Sequence, residues 1–357
     1  MRNSGTNVPN AVSASTDFPW KWYLKDLDTR PRNGCRVFSC FSCGGGSSMG
    51  YKLAGYEVTG NCEIDPAMMR IYLANHHPKH PFLMDIREFV KLPDEEIPED
   101  LWNLDILDGS PPCSVFSMAG GREDGWNVEK TFREGQVRQR LDDLFLYFIE
   151  AARRLKPKAV IAENVKGLIQ GNAKGWVNMI VRAFDEAGYD VQIFLFNGAV
   201  MGVPQKRERV FFIAHRKDLD WGKLTMRFAS APIPFSAVRE PYGKAVGDNM
   251  AARLLRYRIP SDRCLGDINL RITKKTSGYT SPINHDDEPV QTVTARGYCF
   301  RMCDGMLMTD RDIISCQTFP QDYDFQDQNV QYVCGMSVPP VMMAKIAEQV
   351  YLQWLKR

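Results

Sequence analysis

No stretch of the 357 residues is apolar over the roughly 20 positions that a bilayer-spanning helix needs, so a membrane protein is not expected. The opening MRNSGTNVPNAVSAS has no apolar core of a secretory signal and reads as a disordered lead-in. Internal repeats and low-complexity tracts are absent, which excludes solenoids and propellers. Excess charge of one sign is missing too. With 45 Lys and Arg against 43 Asp and Glu, the net charge is +2, so any nucleic-acid role must come from local clusters. The 10 cysteines are spread along a chain without a secretory signal, which excludes a disulfide framework and leaves reduced thiols. Cys40 and Cys43 have C-x-x-C spacing, and Cys299 and Cys303 lie close together. The first pair sits in a strand-to-glycine-loop turn and the second lacks a ligand-type context, so no metal is expected. Two nucleotide-binding signatures are also missing. The glycine run Gly44-Gly45-Gly46 is not G-x-G-x-x-G, and it lacks the Lys-Ser/Thr of a phosphate loop.

What remains is the composition of a soluble globular enzyme, 44% hydrophobic and 25% charged, expected in the cytoplasm and as a monomer. At roughly 100–200 residues per domain the length suggests two domains. Over the first two-thirds, short β-rich runs alternate with helical patterns. CRVFSCFS, YEVTGNCEI, LDILDG, AVIAENV, YDVQIFLFN and RVFFIAH read as strands. LDDLFLYFIEAARRLKP puts Leu141, Leu144, Phe145, Phe148, Ile149 and Leu155 on one helical face, ended by Lys156-Pro157. This alternation predicts a doubly wound α/β sheet, whose ligands bind beyond the carboxyl ends of the strands. Residues 219–308 are irregular, with strand-like pieces such as PVQTVTA and basic residues Arg253, Arg256, Arg258, Arg263, Arg271, Lys274 and Lys275. They read as a smaller domain inserted in the first. SVPPVMMAKIAEQVYLQWLKR then returns as an amphipathic helix. The expected division is an N-terminal extension over 1–33, a catalytic domain over 34–218, the insertion over 219–308, and the catalytic domain again over 309–357.

After the first strand, FSCGGGSSMGYKLAGY brings backbone N–H groups close to a ligand. Glu63 ends the next strand, where an acid can accept from ribose hydroxyls. Asp85, in MDIRE after the third strand, can meet an adenine amino group. The missing phosphate-binding features point away from NAD and towards an adenosine with a small zwitterionic tail. S-adenosylmethionine has that form.

DGSPPCSVFS fixes the backbone with Pro111 and Pro112 in front of Cys113, a brace that a nucleophile needs and a buried structural thiol does not. Glu163 and Asn164 follow another strand, and Gln205, Arg207 and Arg209 precede one. In an extended segment Arg207 and Arg209 share a face, where two guanidiniums can hold a planar polar ligand or a phosphate. Taken singly, Glu163 could be an N-cap and the arginines a solvated charge run. A thiolate, a carboxylate and two guanidiniums at one sheet edge would make a covalent-catalysis site for an electron-poor ring.

On these motifs the sequence resembles the DNA cytosine-5 methyltransferase family over nearly its whole length. Pro111-Pro112-Cys113, Glu163-Asn164-Val165 and Gln205-x-Arg207-x-Arg209 stand in the family's order, followed by TDRDIISCQTFPQDY and GMSVPP. The resemblance implies a Rossmann-like methyltransferase sheet with an inserted target-recognition domain, acting on double-stranded DNA as in restriction–modification. It implies catalytic roles for Cys113, Glu163, Arg207 and Arg209. It also implies S-adenosylmethionine contacts from Phe41, Gly45, Gly46, Glu63, Ile64, Asp85, Ile86 and Pro111. Cys113 would attack C6 of a flipped cytosine. Glu163 would hydrogen-bond N3 and the amino group, a role that requires it to keep a proton near neutrality, which burial favours. Arg209 would hold O2, and Arg207 would place Glu163 or a phosphate. Residues 114–139, with Gly120, Gly121 and Gly125, would close over the base. The chain departs from the family at Cys43, where a glycine is usual, at Met336 for an asparagine, at Val200-Met201 and at Thr309-Asp310-Arg311-Asp312. Two rivals stay open: a tRNA cytosine methyltransferase, whose usual Cys-Phe-Thr segment is absent, and a catalytically silent DNA-binding relative.

Overall fold

The apolar runs of the first 216 residues assemble into one seven-stranded sheet. Its strands are β1 (Arg36–Cys40), β2 (Glu57–Glu63), β3 (His80–Leu83), β4 (Ile106–Gly109), β5 (Ala159–Val165), β6 (Tyr189–Asn197) and β7 (Glu208–Arg216). The order across the sheet is β3-β2-β1-β4-β5-β7-β6, and β7 alone runs against its neighbours. The computed structural model describes residues 17–112, 143–170 and 174–356.

Period-two alternation puts one set of side chains on each face. Val37, Ile106, Ala159, Ile161, Phe211 and Ile213 enter one core, while Phe38, Leu107, Val160, Ala162, Val210 and Phe212 enter the other. The first core also takes α1 (Gly46–Leu53) and α2 (Pro66–His76); the second takes α3 (Ile86–Phe89), α4 (Leu144–Leu155) and α5 (Lys174–Glu186). Helices on both faces make the sheet doubly wound, as expected. In α4 the predicted face is buried at Leu144, Phe145, Phe148, Ile149 and Leu155, each such side chain stabilising by about 1.5–3 kcal/mol. Lys156 takes a left-handed φ of 53° and Pro157 follows it, so the helix stops there. Leu141 lies outside the described residues.

The chain builds outward from β1 to β3, then returns to place β4 on the other side of β1. The switch point therefore falls between the carboxyl ends of β1 and β4, where a doubly wound sheet opens a crevice. The glycine run leaves one of these ends and the Pro-Pro segment leaves the other.

Residues 219–308 hold α6 (Met250–Leu255), α7 (Leu265–Thr273) and the two-residue strands β8 (Ile283–Asn284) and β9 (Phe300–Arg301). Leu254, Leu255, Leu265, Ile268, Ile283 and Phe300 form a separate small core. PVQTVTA, which reads as strand-like, makes a single bridge, Val290 with Gln205; Val293 N–H also turns to the catalytic side at Gln205, while Gln291 N–H donates to Asn284 Oδ1 within the insertion. Three of the seven basic residues noted above are engaged within the insertion: Arg258 donates to the Met302 and Leu255 carbonyls, the exposed Arg263 pairs with Glu288, and Arg271 pairs with Asp262. Arg253, Arg256, Lys274 and Lys275 are exposed.

The chain returns through α8 (Asp310–Cys316), α9 (Val330–Met336) and α10 (Pro340–Val350). The amphipathic pattern expected for the last helix is not what forms. From Pro340 to Val350 only Glu348 is not buried, because α1 covers one side and Phe18, Trp22 and Leu224 join the same core. No helix among the described residues is long and apolar enough to cross a membrane.

Candidate functional site

A cleft opens at the carboxyl ends of β1, β2 and β4. Phe41, Cys43, Glu63, Ile64, Asp85 and Ile86 line it together with Met68, Met84, Ser110, Pro112, Leu144, Tyr332 and Met336. The loop from β1 to α1 is tightly coiled, with left-handed φ at Phe41 (53°), Cys43 (46°) and Gly45 (79°). Cys43 takes that conformation with a side chain, at a cost of about 1 kcal/mol. Gly45 and Gly46 are needed for packing. A Cβ on Gly45 would lie 2.1 Å from His76 Nε2, and one on Gly46 would lie 2.4 Å from the Val338 carbonyl.

Glu63 is buried where β2 ends. Its Oε2 accepts from the Cys43 N–H and its Oε1 from the Asp65 N–H, both at 2.8 Å. Burial pushes its carboxyl up to about 7, against the pull of those N–H groups. Asp65 in turn caps α2, accepting from Ala67 N–H at 2.8 Å ahead of Pro66. Asp85 caps α3 through Arg87 N–H at 2.8 Å and pairs with the Arg87 guanidinium at 3.0 Å. A carboxylate acceptor between the apolar walls of Ile64, Met84 and Ile86 suits a ribose joined to a flat, largely apolar base.

At the neighbouring strand end, Asp108 is held by the hydroxyls of Ser39 (2.7 Å), Ser47 (2.6 Å) and Tyr51 (3.2 Å). Burial raises its carboxyl to about 6, and the hydroxyls oppose that rise. This network ties α1 to the strand from which Ser110-Pro111-Pro112 departs. Pro111 does not face the cleft as expected. It is buried, and its carbonyl accepts from Asn164 Nδ2 at 3.0 Å, leaving Ser110 and Pro112 to line the opening. Cys113 and the segment 114–139 lie outside the described residues.

Glu163 and Arg209 meet across the β5–β7 ladder. Val165 pairs with Arg209, so Glu163, two residues earlier, stands diagonally opposite on the same face. Glu163 Oε1 accepts from Arg209 Nε at 2.9 Å, and each side chain is 13% exposed. Arg207 is not where alternation along the strand predicts it. It precedes the first residue of β7 and is 1% exposed, so it does not share a ligand-holding face with Arg209. Its guanidinium donates to the carbonyls of Val293 (3.0 Å), Gly335 (2.9 Å) and Ser337 (2.9 Å). Two of these carbonyls lie at the end of α9, where carbonyls lack helical partners and attract a cation. Gln205 is likewise internal: it donates to Gln317 Oε1 at 2.8 Å and accepts from Val293 N–H at 2.8 Å.

Sequence reasoning missed Tyr332, Met84, Met68 and Leu144 as lining residues, and the Asp108 network. Asp65-Pro66, an N-cap followed by proline at N1, was a readable signal for the turn that aims Glu63. Nothing local marks the others.

The C-5 cytosine-specific DNA methylase family model matches residues 35–290. The Type II methyltransferase M.NgoPII of Neisseria gonorrhoeae is 28% identical over 344 residues, 88% of this chain and 95% of that protein. M.FnuDI of Fusobacterium nucleatum is 30% identical over 269 residues, 73% of this chain and 71% of that protein. Among solved structures, a prophage-encoded protein of E. coli described as a DNA modification methyltransferase aligns with a TM-score of 0.67 at 19% identity, covering 91% of this chain and all of that one. A DNMT2 of Spodoptera frugiperda aligns at 0.59 and 16% identity, over 89% of this chain and all of that one. These two show the fold. Glu63 lines the cleft, Gly45 and Gly46 pack behind it, and the Glu163–Arg209 pair stands outside its lining on the neighbouring strands; matched over most of its length, the chain belongs to the C-5 cytosine-specific DNA methylase family, S-adenosylmethionine-dependent methyltransferases.

Proposed function

We propose that the protein methylates C5 of a cytosine within a specific short sequence of double-stranded DNA, as a monomer in a bacterial or phage-infected cell. The Glu163–Arg209 pair carries the reading, at the same end of the sheet as Pro112, the residue before Cys113. In this reading residues 34–218 and 309–357 do the chemistry, and 219–308, with their own small core and exposed Arg253, Arg256, Lys274 and Lys275, grip DNA. The target base leaves its stack at a cost of a few kcal/mol, since its C6 is out of reach inside the duplex.

S-adenosylmethionine supplies an electrophilic methyl group. The Cys113 thiolate forms a bond to C6, breaking aromaticity and making C5 enamine-like. Glu163 holds N3 and the amino group, and Arg209 both orients Glu163 and faces O2. Once C5 carries the methyl, its proton leaves to water and the C6–S bond breaks, returning the thiolate. Arg207 acts as a positioning residue through the carbonyls it gathers.

Incubation with tritiated S-adenosylmethionine should label duplex DNA and leave tRNA unlabelled. Label on tRNA alone would defeat this reading.

Glu63 makes cofactor binding pH-dependent. Ribose hydroxyls donate to a carboxylate, so binding favours the ionised form, while the free protein holds its proton up to about pH 7. Each unit below that should weaken binding by up to about tenfold, until the bound form also protonates. Isothermal titration between about pH 5.5 and 8 should show this slope for the wild type and lose it for Glu63→Gln. A wild-type profile as flat as the variant's would remove Glu63 from the ribose.

A further inference from the structure

Trp22 lies outside the family-matched residues 35–290, yet it is 1% exposed and hydrogen-bonded at both ends. Its indole Nε1–H donates to the Thr318 carbonyl at 2.9 Å, and its own carbonyl accepts from Gln321 N–H at 2.8 Å. Two residues on, Leu24 N–H donates to Asp322 Oδ1 at 2.8 Å, and Phe18 is buried in the same core. The segment 18–24 therefore grips the turn that follows α8.

That turn contains a strained residue. Thr318 is β-branched and fully buried, with φ at +58°. Such a residue keeps this conformation only where its surroundings over-determine it. Here the holds are the cap of α8, where Thr318 N–H donates to the Ser315 carbonyl and Phe319 N–H to the Ile314 carbonyl, each at 3.1 Å, then Trp22 on the Thr318 carbonyl and the start of α10, where Val341 N–H donates to Thr318 Oγ1 at 3.1 Å.

What the turn presents is the underside of the cofactor loop. The Phe319 ring lies 3.1 Å from where a Gly46 Cβ would sit. The Tyr323 hydroxyl donates to the Gly44 carbonyl and lies 3.1 Å from His76 Nε2. Because the only hydroxyl proton of Tyr323 goes to Gly44, His76 must donate from Nε2. That tautomer leaves Nδ1 bare, and Nδ1 is buried without a partner. The His76 ring stacks on Tyr72 at 4.2 Å, whose hydroxyl is 2.8 Å from Ser48 Oγ in α1. The helix end of the loop that carries Cys43 to Glu63, at Gly44 and Gly46, thus rests on Tyr323 and Phe319, which follow the turn at Thr318.

We infer that residues 18–24 form a strap that positions the cofactor loop by holding Thr318 in its left-handed conformation. The inference rests on the reading of the cleft as the S-adenosylmethionine site. Trp22, Thr318 and Tyr323 are positioning residues, since none of them lines the cleft.

The test is Trp22→Phe, which keeps most of the ring and removes the Nε1–H donor. In the ligand-free protein, amide exchange at residues 43–46 should rise about tenfold, the effect of one buried hydrogen bond. S-adenosylmethionine should bind about five- to tenfold more weakly by calorimetry, with DNA affinity and kcat at saturating cofactor within about twofold of wild type. Tyr323→Phe should give the same pattern and add little to Trp22→Phe. Thr318→Gly, which takes the left-handed conformation without strain but gives up the Oγ1 acceptor of Val341 N–H, should bring exchange and affinity in the Trp22→Phe background at least halfway back to the wild type on a logarithmic scale. Unchanged exchange at 43–46 in Trp22→Phe, or a lowered melting temperature without rescue by Thr318→Gly, would overturn the strap. Failure of the wild type to bind S-adenosylmethionine would instead overturn the cleft reading, and the exchange experiment would still decide the strap.

Discussion

Cys113→Ser is expected to lower methyl transfer by about 10⁴-fold or more and to abolish covalent trapping of a duplex carrying 5-fluorocytosine at the target. A serine hydroxyl is not ionised near neutrality, whereas a cysteine carries a fraction of the far more nucleophilic thiolate. Fluorine at C5 cannot leave as the proton does, so β-elimination stops and the C6–S bond persists. Among the described residues, Cys43 and Cys62 are the cysteines that reach the cleft. Burial pushes the Cys43 thiol up to about 12 and the Cys62 thiol well above its ordinary range, so both stay protonated and neither can stand in. The approach to position 113 is anchored from behind by Asn164 on the Pro111 carbonyl and by the hydroxyls on Asp108. A denaturing gel should show a DNA-linked band for the wild type and none for the variant. A linked band from Cys113→Ser would take the nucleophile's role away from this residue.

How far the sequence could be read follows from which contacts are local. Strands such as β5 and β7 are buried on both faces, so they stand out as apolar runs of the right length. β3 is HPFL, with exposed Pro81 and Leu83 at the edge of the sheet, and offers no such run. The face of α4 was legible because one side meets the core and the other is open. The last helix was not, because what covers it comes from distant parts of the chain. The same holds for Trp22, whose hydrogen-bond partner is 296 residues away. Alternation placed Arg207 beside Arg209, and it failed because Arg207 stands before the ladder and is drawn to carbonyls of residues 293, 335 and 337. Glu63 and Glu163 were legible because an acid closing an apolar strand has few structural reasons to be there.

Glu163→Gln should cut kcat by about 10²- to 10⁴-fold with the fold intact, since the amide cannot carry a proton to or from the ring. It keeps the shape of the carboxylate and an oxygen to accept from Arg209 Nε, now at 2.9 Å. It does not keep the charge. Arg209 is 13% exposed, and an unpaired cation that far from water is costly, up to about 3–5 kcal/mol where burial is complete. A loss of melting temperature would therefore accompany the loss of rate and could be mistaken for its cause. Replacing Arg209 by Gln in the Glu163→Gln background separates the two. The stranded charge is gone, so stability should recover, while the rate should stay low because no group at 163 can hold a proton. Thermal melting beside single-turnover methyl transfer reads both. If the double variant regained more than about a tenth of the wild-type rate along with its stability, Glu163 would be a structural partner of Arg209 and its chemical role would be lost.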